Sequence, residues 1–461
     1  MGSKKPAFQT ISSKQIEEHI DVPFHVIGTP EWIDGSIAEG AVADSAITKV
    51  HSKNDLSAPL AWLTKQQELG IDSETGGENK RDGLDPISES SKMLLFQLGT
   101  TKMVYLIEPK LVPEFKGILE DQDRLFLTQN GVYDFKFCLS KYGVHFINYH
   151  YDDKTKVYIP SLYDTMLAEQ LLTAGLYGVQ VGLEELSEKY PPHYLISKAV
   201  RREFINMSGV LQYRHLYYAA RDVFLLFPIK QEQMKEIKKH KGMWERIQIE
   251  FCAMAGTADA ELTGFDLDEQ RIESTLDYWR AKAKNIRDKA MKIYDDALDK
   301  AGKKRNFLLP DTMEEFDINS ATKKLAALHK MGFDVKDTKR ETLLALETEF
   351  ADLLGEYTEC TKIISTYGER MLARRSTTDG RLHPEFNQLG AGDLEKRKGG
   401  DKATTIATGR WSSDAQQFPR PDHILDPVVG DAAEHIKLLF PEQYQKAVEK
   451  FNQPEVASGK K

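Results

Sequence analysis

The amino-acid sequence predicts an α/β domain followed by a mostly α-helical region. Up to about residue 230, short apolar runs rich in branched and aromatic residues alternate with stretches of helical spacing, the pattern of a sheet flanked by helices. From residue 231 strand signals nearly vanish and long, charged amphipathic helices take over. With 461 residues, 41% of them hydrophobic, the chain can bury two or three separate cores.

The elements follow in order. Residues 1–60 read as a leader of mixed composition without strong periodicity. The first domain, 61–230, opens with a strand through LGID near Glu68, and a turn rich in Gly, Asn and Asp runs to Leu84. MLLFQLG and MVYLIEP, broken by Gly-Thr-Thr, read as paired strands, residues 111–119 as a helix and RLFLTQN as a buried strand. VYDFKFCLSKYG has helical spacing with Gly143 as its stop, and LYDTMLAEQLL and residues 211–227 are further helices. In the second region, 231–422, helices are expected over 233–256, 268–301, 319–331 and 339–374, followed by an exposed loop around DLEKRKGGDKA. The last stretch, 423–461, holds one helical segment, 432–451, and a polar tail. Its apolar Ile436, Leu438, Leu439 and Phe440 suit self-packing and a partner surface equally.

Composition narrows the function classes. No run of about 18 apolar residues occurs, so no spanning helix is expected. MGSKKPAFQT lacks the apolar core of a secretory signal, and Pro6 breaks a myristoylation pattern. Cys138, Cys252 and Cys360 lie far apart with no C-x-x-C pair, which argues against a structural zinc and suits a reducing compartment. A cytoplasmic location, in a bacterium or a phage-infected cell, is the expectation. The net charge of -9 is unusual for a nucleic-acid binder. Carboxylates that hold metal nevertheless present positive charge to phosphate, and local basic stretches remain.

Three segments carry the carboxylates of interest. In IDSET, Asp72 and Glu74 are i and i+2 on a strand and share a face. Two such charges repel unless a divalent cation lies between them; an isolated pair of this kind is more often a solvated strand end. In QNGVYDFKF, Asp134 sits near a helix start, where free N–H groups and the helix dipole favour a carboxylate. By itself it reads as an ordinary helix-start Asp. In YYAARD, Tyr218 and Asp222 are i and i+4 on one helix face, which fits a packed Tyr beside a solvated Asp as well as it fits a site.

Together, in this order and spacing, IDSET, QNGVYDFKF, LYDTMLAEQLL and YYAARD resemble the Tyr-containing branch of the DEDD exonuclease superfamily. More closely, they resemble the proofreading domain of family A DNA polymerases, over roughly residues 65–230. SKMLLFQLGTTKMVYLIEP resembles the family's strand pair. The resemblance implies a ribonuclease H-like fold, a central mixed sheet flanked by helices. It implies 3′–5′ exonuclease activity with two Mg²⁺ or Mn²⁺ ions held by Asp72, Glu74, Asp134 and Asp222, and with Tyr218 positioning the attacking water. Gln129 and Asn130 would touch the strand near its 3′ end, and Asp164 would support the site. All-oxygen ligands suit Mg²⁺ rather than Zn²⁺. GGENKRDG, after Glu74, departs from the family, which carries an apolar wedge residue nearby.

In the helical region AELTGFDLD, FDINSATKKLAALH, STYGERML, GRLHPEFNQ and ATGRWSS resemble, in family order, the opening and thumb of a family A polymerase domain. The resemblance implies that Arg410 reaches the minor groove of a primer–template duplex, with Asn387, Gln388, Thr408, Ser412 and Ser413 as weaker backbone contacts. After QQFPRPD the resemblance stops, without the motifs of palm and fingers. The expectation is the proofreading and thumb part of a split replicative polymerase, with palm and fingers on a separate subunit and no polymerase activity from this chain alone. Its partners would be a single-stranded DNA 3′ end and a primer–template duplex, not a membrane. The alternatives are a stand-alone DNA exonuclease, an RNA exonuclease similar to ribonuclease D, and a non-catalytic replication assembly subunit.

Overall fold

The computed structural model describes residues 21–79, 83–146, 149–154, 157–173, 180–191, 193, 198–205, 207, 209–302, 316–389 and 412–413. They fall into two compact units. The first runs through Gly264 and takes in Ser376–Asp379 and the described residues from His383 onward; the second comprises Phe265–Arg375 and Gly380–Leu382. Among the described residues no helix is long and apolar enough to cross a membrane.

The first unit is built on a mixed sheet. Its strands are β1 (Phe24–Gly28), β2 (Ile47–Lys49), β3 (Glu68–Gly76), β4 (Lys92–Thr100), β5 (Met103–Ile107) and β6 (Leu125–Thr128). A separate hairpin, β7 (Tyr149–Asp152) and β8 (Val157–Pro160), precedes the seventh sheet strand, β9 (Leu162–Asp164). The spatial order is β2-β1-β5-β4-β3-β6-β9. The three central strands β3, β4 and β5 form an antiparallel meander, and every other pairing is parallel.

Alternation along β3 sorts its side chains onto two faces. Leu69 and Ile71 join one core with Phe96, Leu98, Phe126 and Phe137, the last from the Val132–Tyr142 helix. Gly70, Asp72 and Glu74 face the other side, where Leu216, Ala219 and Val223 of the Tyr213–Ile237 helix pack with Leu95 and Leu106. Each of these buried Leu, Ile and Phe side chains contributes about 1.5–3 kcal/mol relative to exposure. Gly70 sets the helix-to-strand distance. A Cβ there would lie 2.8 Å from Val223 Cγ1 and 3.2 Å from the Val223 carbonyl oxygen, so only glycine lets the helix backbone rest on the strand.

The structure departs from the sequence reading at several points, three of which shape the first unit. The stretch read as a leader supplies β1 and β2; five- and three-residue strands are too short to show a period, and β5, the strand that ties β1 into the sheet, lies some 80 positions away. LYDTMLAEQLL is not all helix: Leu162–Asp164 is a buried strand, and the helix Thr165–Leu172 starts behind Asp164, whose side chain accepts from Leu167 N. Finally, the Met243–Thr263 helix, placed in the second region by its charged faces, buries Ile247, Phe251, Met254 and Ala258 in the sheet's core. The first unit therefore extends past residue 230 to Gly264.

The second unit has its own core of Trp279, Tyr294, Phe316 and Phe350, on the helices Glu269–Lys300, Ala321–Lys330 and Glu349–Lys362 and the segment before Ala321. Ser320 and Thr348 cap two of these by accepting from Lys323 N and Ala351 N. The third helix passes into a π-helical stretch, Ile363–Glu369, where Glu369 pairs with Arg280 at 2.7 Å. Residues 414–461, with the expected terminal helix, lie outside the described residues.

Candidate active site

Asp72 and Glu74 stand on β3, with β4 on one side and β6 on the other. Glu74 is buried and Asp72 half-buried, and the strand pairing shifts register just beyond Glu74. Asp222 descends on them from the Tyr213–Ile237 helix. One carboxylate oxygen from each of Asp72, Glu74 and Asp222 lies within 4.8 Å of the other two. Tyr218, one turn before Asp222 and 6% exposed, donates its hydroxyl to the Asp222 carboxylate.

Asp134 arrives from the opposite face. It sits in the first turn of the Val132–Tyr142 helix, 2% exposed, and accepts from Ser73 Oγ at 2.5 Å. Ser73 points away from its neighbours Asp72 and Glu74, so Asp134 flanks Asp72 without joining the three-carboxylate cluster. Asp164 supports this arrangement. Its carboxylate accepts from Thr128 Oγ1 at 2.9 Å, from Gly131 N at 2.8 Å and from Leu167 N at 2.9 Å. It thereby holds the turn in which Asn130 adopts φ 63° and from which the Asp134 helix springs.

Burial and mutual repulsion make the four acids reluctant to ionise. The pKa values of Asp72 and Glu74 stand well above the carboxylate range, chiefly through burial; Asp134, Glu74 and Asp222 add to the rise at Asp72, and Asp222 adds most at Glu74. Burial pushes Asp134 up to about 7, against the opposing hydrogen bond from Ser73. Asp222 is raised by burial and held down in part by Arg221 and Tyr218. Such a cluster exchanges protons for a cation.

Two arginines at the site were not singled out by the sequence reading. Arg221 lies inside YYAARD and was there to be found. Its Nη2 donates to Asp222 Oδ1 at 3.3 Å, and its guanidinium lies 5.0 Å from the Tyr218 ring centroid. Arg201 belongs to the Lys198–Ile205 helix and feels the fields of Tyr218, Glu74, Asp72 and Asp222. No motif or spacing ties it to them in sequence.

The residues expected to contact nucleic acid divide. Asn130 is exposed beside the site. The Gln129 amide is engaged internally, donating to Val181 O at 2.8 Å and accepting from Thr165 Oγ1. Asn387 is exposed and pairs with Ser412 across a two-residue antiparallel ladder. Gln388 is buried instead of facing a duplex: it donates to Glu250 O at 2.9 Å, anchoring its strand to the Met243–Thr263 helix. Ser413 is also buried. Nearby Glu261 takes Phe386 N at 2.7 Å and Lys136 Nζ at 2.6 Å, tying this segment to the Asp134 helix. Thr408 and Arg410 lie outside the described residues.

Comparison with known proteins shows what this unit is similar to. Residues 47–238 match the family model of the DNA polymerase A 3′–5′ exonuclease. The ribonuclease H-like fold, with its mixed sheet between helices, accords with that assignment. A DNA polymerase I of Borreliella burgdorferi is 23% identical over 372 residues, 79% of this chain and 36% of that protein. A DNA polymerase I of Chloroflexus aurantiacus is 26% identical over 259 residues, 54% of this chain and 25% of that protein. The chain thus spans about a third or less of the length of these relatives. Among solved structures, the POL domain of Pol1 from M. smegmatis, in complex with DNA primer-template and dNTP, shares its fold with a TM-score of 0.51 at 15% identity, over 82% of this chain and 55% of that one.

Proposed function

We propose that the chain removes nucleotides from the 3′ end of a DNA strand by metal-dependent hydrolysis, as the editing centre of family A DNA synthesis. The observation that carries this reading is the cluster of Asp72, Glu74 and Asp222, with oxygens within 4.8 Å of one another and with Asp134 and Tyr218 at its edges. The donor set is all oxygen, and the acids cannot comfortably ionise without a counter-charge, which fits hard divalent ions such as Mg²⁺ or Mn²⁺. Asp72, Glu74 and Asp222 would hold one ion, and Asp72 with Asp134 a second. Bound ions would supply a water acidic enough to attack the terminal phosphodiester and would stabilise the leaving 3′ oxygen.

The protein's own groups do the positioning. Tyr218 is kept neutral, because burial raises its pKa far above the ordinary phenol value. It therefore acts as a hydroxyl that orients the attacking water, not as a base. Asp222 and Arg221 fix its ring and oxygen. Ser73 holds Asp134 against the strand, and Asp164 holds the turn behind it.

The test is digestion of 5′-labelled single-stranded DNA, of a primer with a mismatched 3′ end on its template, and of RNA of matched sequence, all in Mg²⁺. The expected result is stepwise loss from the 3′ end of DNA and none with Asp72→Ala combined with Glu74→Ala. Undiminished digestion by that variant would show the site misplaced, and preference for RNA would favour the ribonuclease D-like alternative. The link to synthesis draws on the sequence likeness to two DNA polymerase I proteins; work beside a palm-bearing subunit is part of the same proposal. Co-purification with a palm-bearing polypeptide, and editing of its primers on mixing, tests that part.

A further inference from the structure

We propose that Arg201 grips a phosphodiester at the 3′ end of the strand and so is a substrate-contacting residue of the exonuclease site. The inference rests on the exonuclease reading above. The Lys198–Ile205 helix that carries Arg201 is fixed on three sides. Its C-terminal end lies against the end of β3: a Cβ on Gly76 would come within 2.7 Å of the Phe204 carbonyl oxygen, and Gly77 N donates to Ile205 O at 3.4 Å. Phe204, 1% exposed, packs with its ring centroid 6.1 Å from that of Tyr218. Glu203 binds the first turn of the Asp222 helix, 2.7 Å from His215 Nε2 and 2.8 Å from Arg214 Nη2. Residues three apart share a helix face, so Arg201 stands on the Phe204 side, the side turned to Tyr218.

The electrostatics agree with this placement. Partial desolvation weighs first against the charge of the Arg201 guanidinium, and Tyr218, Glu74, Asp72 and Asp222 together outweigh it; Arg201 in turn opposes the rise at Glu74. Arg221 and Arg201 then separate by exposure. The Arg221 side chain is 12% exposed and is bound to Asp222, an internal role. Arg201 is exposed at the rim of the cluster. A strand approaching four carboxylates is repelled by whatever negative charge the metals leave uncompensated, and a cation open to solvent beside them is where its phosphate meets attraction first. Guanidinium offers a planar fork of N–H donors that fits two phosphate oxygens. Phosphate contact carries no base identity, so the grip would be independent of sequence.

The experiment compares wild type, Arg201→Ala and Arg201→Lys in two measurements. One is steady-state hydrolysis of a single-stranded DNA oligonucleotide in Mg²⁺; the other is Mn²⁺ binding without substrate, by calorimetry. Arg201→Ala should raise KM by about 10- to 100-fold, and Arg201→Lys should recover part of it. Mn²⁺ affinity should hold or tighten in Arg201→Ala, because a positive charge has left the cluster's surroundings. A residue that merely braces the site would lose metal and substrate together, and that outcome overturns the proposal. Equal KM and kcat in wild type and Arg201→Ala removes Arg201 from the site while leaving the exonuclease reading intact. A wild-type protein that binds Mn²⁺ yet leaves both DNA and RNA uncut would remove both.

Discussion

Replacing Asp72 by asparagine should stabilise the metal-free protein while abolishing its activity. The carboxylate oxygens of Asp72, Glu74 and Asp222 lie within 4.8 Å of one another; at an effective dielectric near 20, two unit charges at that separation repel by roughly 3.5 kcal/mol. Asp72 has two such neighbours. Asparagine keeps the shape of the side chain and removes its charge from both pairs. The wild type escapes part of the repulsion by retaining a proton, so the gain in EDTA at pH 8 should be about 2–3 kcal/mol, or a rise in Tm of roughly 5–10 °C. The dependence on pH has a definite sign. The folded pKa of Asp72 is raised, so its favourable contribution is complete below the unfolded value near 4 and is lost as pH climbs through the folded one. The advantage of the variant should therefore be largest at pH 8 and shrink toward pH 5. Mg²⁺ closes most of the gap: an ion at about 100 times its Kd stabilises the wild type by about 2.7 kcal/mol, and the variant much less. Thermal unfolding followed by circular dichroism, in EDTA and in Mg²⁺ at both pH values, reads all of this. A variant less stable than wild type in EDTA at pH 8, or equal stabilisation of both by Mg²⁺, would refute the repulsion argument.

Because Asp134 is pushed up to about 7 and Asp72, Glu74 and Asp222 are also raised, divalent-ion binding should release protons and tighten as pH rises from about 6 to 8; calorimetry in two buffers of different ionisation heat counts the protons, and none released would contradict the assignment. Tyr218→Phe should lower kcat about 100-fold with Mn²⁺ affinity retained, since the hydroxyl orients water and the carboxylates hold the ion. Gly70→Ala should cost about 1–3 kcal/mol and depress kcat, because the added Cβ, 2.8 Å from Val223 Cγ1, lifts the Asp222 helix off β3; an active, fully stable variant would show that the helix has room to spare.

The clustering of the carboxylates was legible in the sequence because its geometry is local. Asp72 and Glu74 share a face through the two-residue period of a strand, and Tyr218 and Asp222 share one through the helical turn; each relation survives folding unchanged. What joins these pairs is the packing of the Asp222 helix on β3, which leaves its own local mark in Gly70. Features that depend on distant pairing left no such mark. β1 is a strand because Phe24 to Ile27 lie beside Val104 to Ile107, and nothing in FHVIG alone distinguishes it from a loop. Gln388 is anchored by Glu250, 138 positions earlier, so its amide could not be told from one aimed at a duplex.

Ser73 shows how much a single strand can carry. A residue between two clustered acids looks like a spacer, yet the alternation that turns Asp72 and Glu74 to one side necessarily turns Ser73 to the other, where Asp134 waits. One tripeptide thus reaches both layers of helices, and the fourth acid can be held beside the cluster without standing among the other three. Asp134 is nevertheless pushed up to about 7, chiefly by burial and against the hydrogen bond from Ser73. Arg201 completes the same logic from outside. Its helix closes on the end of β3 where the acids stand, so the proposed phosphate grip and the proposed metal ligands are set by one strand, even though no spacing in the sequence connects them.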